Sequence, residues 1–242
     1  MTTAPREDQV RLLAVQDLDT RADQLAHQRT TLSELATVAA AQSRRSALHT
    51  ALAATRTAVD DLARELAKAE ADVDQVRART VRDQSRLDSG SASLKDVQAL
   101  TAEIEHLADR QSVLEDAQLA VMERLEAQQS ILDTAQAAFD AAEVELTSAQ
   151  AAADTALAAL DAQAAEVAAQ RTVAADGLDA ALLALYEKLR AQRGGLGAGR
   201  LVGNRCEGCN MELNALDLDA IRAAAADQVV RCEECRRILV RP

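Results

Sequence analysis

The sequence predicts a mostly α protein, in which a long antiparallel two-helix coiled-coil hairpin is followed by a small C-terminal β domain. The chain of 242 residues has one Phe, one Tyr, no Trp and two Pro, and alanine dominates its hydrophobic content of 48%. This composition is typical of long helices and coiled coils rather than of a globular α/β core. Two long segments also repeat their apolar residues at helical spacing, and all four cysteines lie close together near the C-terminus.

The first helix is predicted over residues 7–87. Apolar residues recur at alternating spacings of three and four over 48–80, and leucines recur at intervals of seven over 18–32. Such a series is a heptad seam, which places one apolar stripe along the helix. The two series differ in register across the polar stretch 42–45, so we expect the helix to bend there.

The second helix is predicted over residues 93–173, after a turn at 88–93. The turn contains Gly90, which favours a break in the first helix. Ser93 and Asp96 have the spacing of a capping box, with Asp in place of the usual Glu, and so mark the start of the second helix.

The seam of the second helix runs in one register over 97–167 and faces the seam of the first helix. Because the connecting turn is short, the two helices must run antiparallel. Each has about 80 residues, or on the order of 120 Å at the helical rise. A separate apolar helix is predicted over 178–192, where it returns the chain to the base of the hairpin.

The four cysteines form two CxxC pairs, Cys206 with Cys209 and Cys232 with Cys235, with 22 residues between the pairs. Two such pairs can deliver four thiolates to a tetrahedral Zn²⁺, and four thiolates leave no open position for catalysis. A disulfide pair is the first alternative, but the N-terminus has no apolar signal segment that would send the chain to an oxidising compartment. A thioredoxin-like redox motif is the second, but neither CxxC opens a helix of a βαβ unit. The spacing therefore favours one structural zinc ion.

Short β-prone pieces flank the cysteine pairs, and 217–226 has helical composition. A domain of about 40 residues is too small to fold on core burial alone, so metal binding should supply much of its folding free energy. The glycine-rich stretch 193–199 lacks the Lys-Ser/Thr of a phosphate-binding P-loop, and we interpret it as a linker. The predicted domains are the hairpin, 1–192, and the ribbon, 193–242.

Three segments together resemble a bacterial C4-type zinc-ribbon family in which a long coiled-coil hairpin precedes the ribbon. They are SLKDVQALTAEIEHLADRQSVLED at 93–116, LLALYEKLRAQRGGL at 182–196, and the pair CEGCNMEL and CEECRRILV around the cysteines. Some relatives resemble adaptors or chaperones that contact transcription or secretion components, and RNA contact has been proposed within the family. The family commonly has Gly where this chain has Arg236, so a turn with positive φ would be strained here.

We therefore expect a non-enzymatic adaptor that binds a protein partner, with transcription or secretion machinery as the implied setting. Two paired helices offer no concave, water-excluding site for catalysis or a small-molecule substrate. A passive spacer is the plainer interpretation. We also expect a cytoplasmic protein without membrane insertion, since no run of about 18 uncharged apolar residues exists. It should be a monomer or weak dimer, because the short turn favours pairing within the chain.

Nucleic-acid binding is the alternative function. Five basic residues cluster near the turn, and we call them the tip cations: Arg77, Arg79, Arg82, Arg86 and Lys95. A solvated helix face is the plainer interpretation of these residues. A net charge of −12 disfavours nucleic acid as a partner of the whole molecule, and the ribbon has no aromatic residue on which a base could stack.

Overall fold

The computed structural model describes residues 2–90 and 93–242. The elements found in these ranges are α1 (Arg6–Thr30), α2 (Ser33–Asp88), α3 (Leu94–Ala175), α4 (Ala180–Gln192), β1 (Ala198–Val202), β2 (Arg205–Cys206), α5 (Ala215–Ala223) and β3 (Ile238–Val240). The predicted fold class, a helical hairpin followed by a small β ribbon, is confirmed. None of the helices in these ranges is long and apolar enough to cross a membrane.

The first predicted helix is two helices, and the break lies at Thr31 and Leu32 rather than near 42–45. The Oγ1 atoms of Thr30 and Thr31 both donate to the carbonyl of His27, at 2.8 and 2.9 Å. The backbone N–H of Thr31 also donates to this carbonyl, at 3.0 Å, and so closes the last turn of α1. The heptad count did not show this break, because leucines continue on the same face beyond it.

The second helix begins with the predicted capping box. The Ser93 backbone N–H donates to Asp96 Oδ2, and the Asp96 backbone N–H donates to Ser93 Oγ, both at 3.3 Å. Two backbone donors that the helix cannot satisfy are thereby satisfied. Gly90, in the predicted turn, has φ of +67°, while positions 91 and 92 lie outside the described residues.

The chain divides into two compact units. One comprises residues 37–150, and its most buried side chains in α2 and α3 include the predicted seam positions Leu52, Val73, Leu107 and Val121. Among the described residues, five ion pairs join α2 to α3. As the residue number rises along α2, the residue number of the partner in α3 falls, which is the pattern of antiparallel helices. The pairs are Arg44 with Glu145, Arg45 with Glu143, Arg124 with Glu65, Arg77 with Glu115 and Arg79 with Glu103.

The other unit comprises residues 2–36 and 151–242, and its helices share one core with the ribbon. The buried side chains that meet in this core come from α1, α4, β1, β3 and the segments that adjoin them. They are Ala4, Leu12, Val15, Leu178, Leu182, Tyr186, Leu189, Ala198, Val229, Ile238 and Val240. The ribbon is therefore packed on the helices of its own unit rather than suspended from them.

The glycine-rich stretch 193–199 is a packed turn and the start of β1, and interpreting it as a linker was wrong. A Cβ added to Gly197 would lie 2.7 Å from both Cδ2 and the carbonyl oxygen of Tyr186. The Oε1 atom of Gln16 accepts hydrogen bonds from the N–H groups of Gly197 and Ala198, at 2.7 and 3.2 Å. Glycine is required here by close packing, which composition alone does not distinguish from flexibility.

The ribbon sheet has the order β2-β1-β3, with β1 antiparallel to β2 and parallel to β3. Apart from this sheet, Thr3, which precedes α1, forms an isolated antiparallel bridge with Gln228. Arg241 satisfies carbonyls at the C-terminal end of α5, including Ala224 and Ala225, both at 2.7 Å. Both ends of the chain thus contribute to the same unit.

Asp19 of α1 is a buried carboxylate, 4% exposed, at the meeting point of three helices. Its Oδ1 accepts from Arg171 Nε of α3 at 2.9 Å, and its Oδ2 accepts from the Tyr186 hydroxyl of α4 at 2.6 Å. Arg190 Nε lies 3.5 Å from the same Oδ2. Burial, together with the hydrogen bond to Asp19, raises the pKa of Tyr186, so its hydroxyl stays protonated as the donor.

Candidate metal centre

The first cysteine pair forms a tight knuckle that begins at Cys206, the last residue of β2. The backbone N–H of Asn210 donates to the carbonyl of Cys206 at 2.7 Å, which folds Cys206 and Cys209 onto one side. Asn210 takes a positive φ of 60°. The Nε of Arg205 then donates to the carbonyl of Asn210 at 2.8 Å and fixes the exit from the turn.

The second cysteine pair repeats this arrangement position by position. The N–H of Arg236 donates to the carbonyl of Cys232 at 2.8 Å, and Arg236 has φ of 62°. Arg231 Nε donates to the carbonyl of Arg236 at 2.7 Å. Each knuckle therefore has an arginine before its first cysteine and a left-handed residue after its second.

The four sulfurs face one another. All four Sγ atoms lie within 4.8 Å of one another, with Cys206 to Cys235 at 4.0 Å and Cys209 to Cys232 at 3.9 Å. A tetrahedral zinc ion with Zn–S bonds of about 2.3 Å requires sulfurs about 3.8 Å apart. The donor set and its spacing therefore fit a four-thiolate zinc ion, and the predicted ligand residues are brought together.

The surroundings of the four sulfurs raise the pKa of some thiols and lower that of another. Burial raises the pKa of the Cys206 thiol to about 12, against hydrogen bonds from the backbone N–H groups of Cys209 and Gly208 that lower it. Burial also raises the pKa of Cys232. For Cys235 burial acts in the same direction, but hydrogen bonds from Arg237 and the neighbouring thiols outweigh it and lower the pKa. A metal ion must displace the protons of the Cys206 and Cys232 thiols, so metal binding weakens as the pH falls.

The cysteine site is supported by a small core of its own. Apolar side chains from β1, β3, α5 and the segments between them bury Cys206 and Cys232. They are Leu201, Leu213, Leu218, Ile221, Val230 and Leu239. Gly199 of β1 lies directly behind the first knuckle, because a Cβ there would be 2.6 Å from the backbone nitrogen of Gly208.

The tip cations are not equivalent. Arg77 pairs with Glu115 at 2.6 Å, and Arg79 pairs with Glu103 at 2.7 Å, so these two charges stabilise the hairpin itself. The remaining three, Arg82, Arg86 and Lys95, form no ion pair among the described residues. Two of the five tip cations are thus paired across the hairpin, and the set of five stays a prediction.

The profile of one known family, the CT398-like coiled coil hairpin domain, matches residues 15–194. The chain belongs to this family. A second profile, the C4-type zinc ribbon domain, matches residues 205–239 of this CT398-like protein and includes all four cysteines. The resemblance inferred from the sequence is thereby confirmed.

Relatives of this CT398-like protein cover nearly its whole length. The protein Rv2229c of Mycobacterium tuberculosis strain H37Rv is 40% identical over 230 residues, which is 95% of this chain and 94% of the relative. ML1638 of Mycobacterium leprae is 30% identical over 217 residues, 90% of this chain and 93% of the relative. Both are uncharacterized proteins, so this similarity assigns no activity.

Solved structures agree on the fold. A protein from Mycobacterium smegmatis superposes with a TM-score of 0.89 at 37% identity, covering 99% of this chain and all of the other. CT398 from Chlamydia trachomatis superposes with a TM-score of 0.70 at 17% identity, covering 98% of each chain. The identity to CT398 is too low to transfer more than the fold.

Arg236→Gly is expected to stabilise the ribbon by about 1 kcal/mol, because glycine takes positive φ without the steric cost that arginine bears. Within the described part of the chain the Arg236 side chain pairs only with exposed Glu233, and such a surface ion pair contributes little stability. Urea unfolding of the zinc-loaded protein, followed by circular dichroism, measures the change. Asn210→Gly is the matched control at the other knuckle and should gain less, since asparagine tolerates this conformation. An unchanged or lower free energy of unfolding for Arg236→Gly would contradict the strain argument.

Proposed function

We propose that this protein is a non-enzymatic adaptor that docks an acidic segment of a partner protein at the tip of its hairpin. The observation that carries the proposal is the set of three cations without ion-pair partners among the described residues, Arg82, Arg86 and Lys95. Beside them Val81 and Leu94 are 64% and 80% exposed. Cations next to exposed apolar side chains are complementary to a protein segment that carries both acidic and apolar residues.

The histidines support a role without catalysis. His49 of α2 packs on Phe139, with ring centroids 5.7 Å apart, while His27 lies on α1 and His106 on α3. None of the three is hydrogen-bonded through its side chain to a nucleophile within the described ranges. The hydrogen bond between a histidine and a nucleophile, which identifies a catalytic pair, therefore gives no reason to assign these histidines a catalytic role.

The ribbon, in this proposal, holds one structural zinc ion on Cys206, Cys209, Cys232 and Cys235. Zinc supplies no redox chemistry and suits a closed tetrahedral thiolate site. The ion would contribute to folding rather than to a reaction. Cysteines that bind zinc must stay reduced, so the proposal includes a reducing compartment, the cytoplasm.

Reversing the charge at the tip tests the docking surface. The variant Arg82→Glu/Arg86→Glu should abolish capture of the partner from native cytosol, because these cations lie one helical turn apart on α2 and face the same side. The control Lys68→Glu/Arg110→Glu changes the same net charge at exposed positions away from the turn. Components of the transcription and secretion machinery are the first partners to look for by mass spectrometry.

Nuclease treatment distinguishes protein docking from the alternative function, which is nucleic-acid binding at the same cations. Capture that survives nuclease and is lost only in the Arg82/Arg86 variant supports the protein adaptor. Capture that nuclease removes, with affinity for RNA or DNA that falls steeply with salt, would replace it with nucleic-acid binding. Equal capture by both variants would exclude the tip as the docking surface.

A further inference from the structure

The side chain of Arg237 reaches from the second knuckle to the turn between α4 and β1. Its Nε donates to the carbonyl of Leu196 at 2.7 Å, and its Nη2 donates to the carbonyl of Arg193 at 2.9 Å. Its own carbonyl accepts from the N–H of Cys232 at 3.0 Å. A Cβ added to Gly208 would lie 3.1 Å from Arg237 Cδ, so the same side chain also packs on the first knuckle.

The turn held by Arg237 is fastened to α1 and α4 as well. Gln16 Nε2 of α1 donates to the carbonyl of Gly195 at 3.1 Å, and Gln16 Oε1 accepts from Gly197 at 2.7 Å. Gly197 lies against the ring of Tyr186, which is fully buried. A displaced turn would therefore leave buried polar groups without partners and uncover this ring.

We propose that Arg237 is a positioning residue that couples occupancy of the cysteine site to the packing of α1 and α4. An ion bound to all four sulfurs holds both knuckles at a fixed separation, and Arg237 contacts both knuckles and the turn. When the ion leaves, the knuckles are free to separate, and the two hydrogen bonds from the guanidinium to the turn are lost. The binding energy of the ion thus stabilises helices that do not touch it.

This inference rests on the metal binding of the proposed function but not on docking at the tip. Tyr186 provides a direct reading, because the chain has one tyrosine and no tryptophan, so its intrinsic fluorescence comes from this ring alone. Zinc-loaded full-length protein is compared with the same protein after chelation with EDTA, and quenching of the fluorescence by acrylamide is measured for each. We expect the quenching constant of the wild type to rise severalfold when zinc is removed.

The variant Arg237→Met keeps the aliphatic stem and removes the donors, while Arg236→Met changes the adjacent exposed arginine as control. In Arg237→Met we expect high quenching with zinc still bound, and little further change on chelation. Arg236→Met should behave as the wild type, and Arg237→Lys should restore part of the protection. Substitution with Co²⁺ shows independently, by its thiolate charge-transfer absorption, whether the four-sulfur site has formed.

Each other outcome overturns the inference. If chelation leaves quenching of the wild type unchanged, the metal site and the helices are not coupled. If Arg237→Met retains the wild-type response to chelation, the coupling does not pass through this residue. If Arg237→Met no longer forms the Co²⁺ site, or loses its helical circular dichroism, Arg237 builds the structure locally and does not transmit occupancy. Failure of the Co²⁺ site in the wild type would instead refute the metal proposal itself.

Discussion

Cys206→Ser is expected to abolish zinc binding and unfold the ribbon, with the largest loss of stability of any single change in this chain. Structural zinc sites contribute on the order of 10 kcal/mol of binding free energy at neutral pH, which is comparable to the whole stability of a typical domain. Cys206 is also fully buried in the small core of the ribbon. Metal content by mass spectrometry and thermal unfolding by circular dichroism measure the two effects.

The helical signal of Cys206→Ser should fall in part rather than remain intact. The sequence had indicated a hairpin with its own core, but α1 and α4 share buried side chains with the ribbon strands. The unit formed by residues 37–150 buries its own seam and should stay helical. Glu207→Ser, at the exposed neighbouring position, is the control and should bind zinc normally. Loss of all helical signal in one transition would contradict this division.

Asp19→Ala is expected to lower the free energy of unfolding by about 3 kcal/mol, at the lower end of the range for breaking a buried ion pair. The change leaves Tyr186 and Arg171 without their common hydrogen-bond acceptor and removes the opposite charge beside Arg190 Nε. The loss is not larger because Glu187 and Asp23 each remain as a partner of one arginine. Urea unfolding of the zinc-loaded protein, followed through the fluorescence of Tyr186, gives the value.

The control for Asp19→Ala is Asp17→Ala, on the same helix but at an exposed position. It should change stability by no more than about 0.5 kcal/mol, as is usual for surface substitutions. If the two variants are equally stable, the contacts of Asp19 contribute nothing net. If Asp19→Ala proves more stable than the wild type, the desolvation of the charges outweighs their pairing.

The sequence was informative wherever a local pattern decides the structure. Heptad spacing predicted which residues of α2 and α3 are buried, and Ser93 with Asp96 predicted the start of α3. The two CxxC pairs predicted the four ligands that the fold brings together. Each of these signals lies within a few residues or repeats at a constant interval, so it can be recognised without knowing the tertiary structure.

The sequence was less informative where a residue acts through a distant partner. No sequence motif marks Arg237 or Gln16 as important. Buried Gln16 nevertheless hydrogen-bonds to the backbone of the ribbon 181 residues away. The glycines of 193–199 resembled a flexible linker, and only the position of the Tyr186 ring shows why Gly197 must lack a side chain. The break after Thr30 was missed because leucines continue on the same face of the helix beyond it.

By itself the sequence determined the helical hairpin, the chemistry of the four-cysteine site and membership of the family. Only the tertiary structure decided that the ribbon shares a core with α1 and α4, and that Arg77 and Arg79 form ion pairs while Arg82, Arg86 and Lys95 form none with the described residues. The physical reason is that periodicity and ligand spacing are properties of neighbouring residues. Shared burial and charge pairing depend instead on side chains that meet only when the chain is folded.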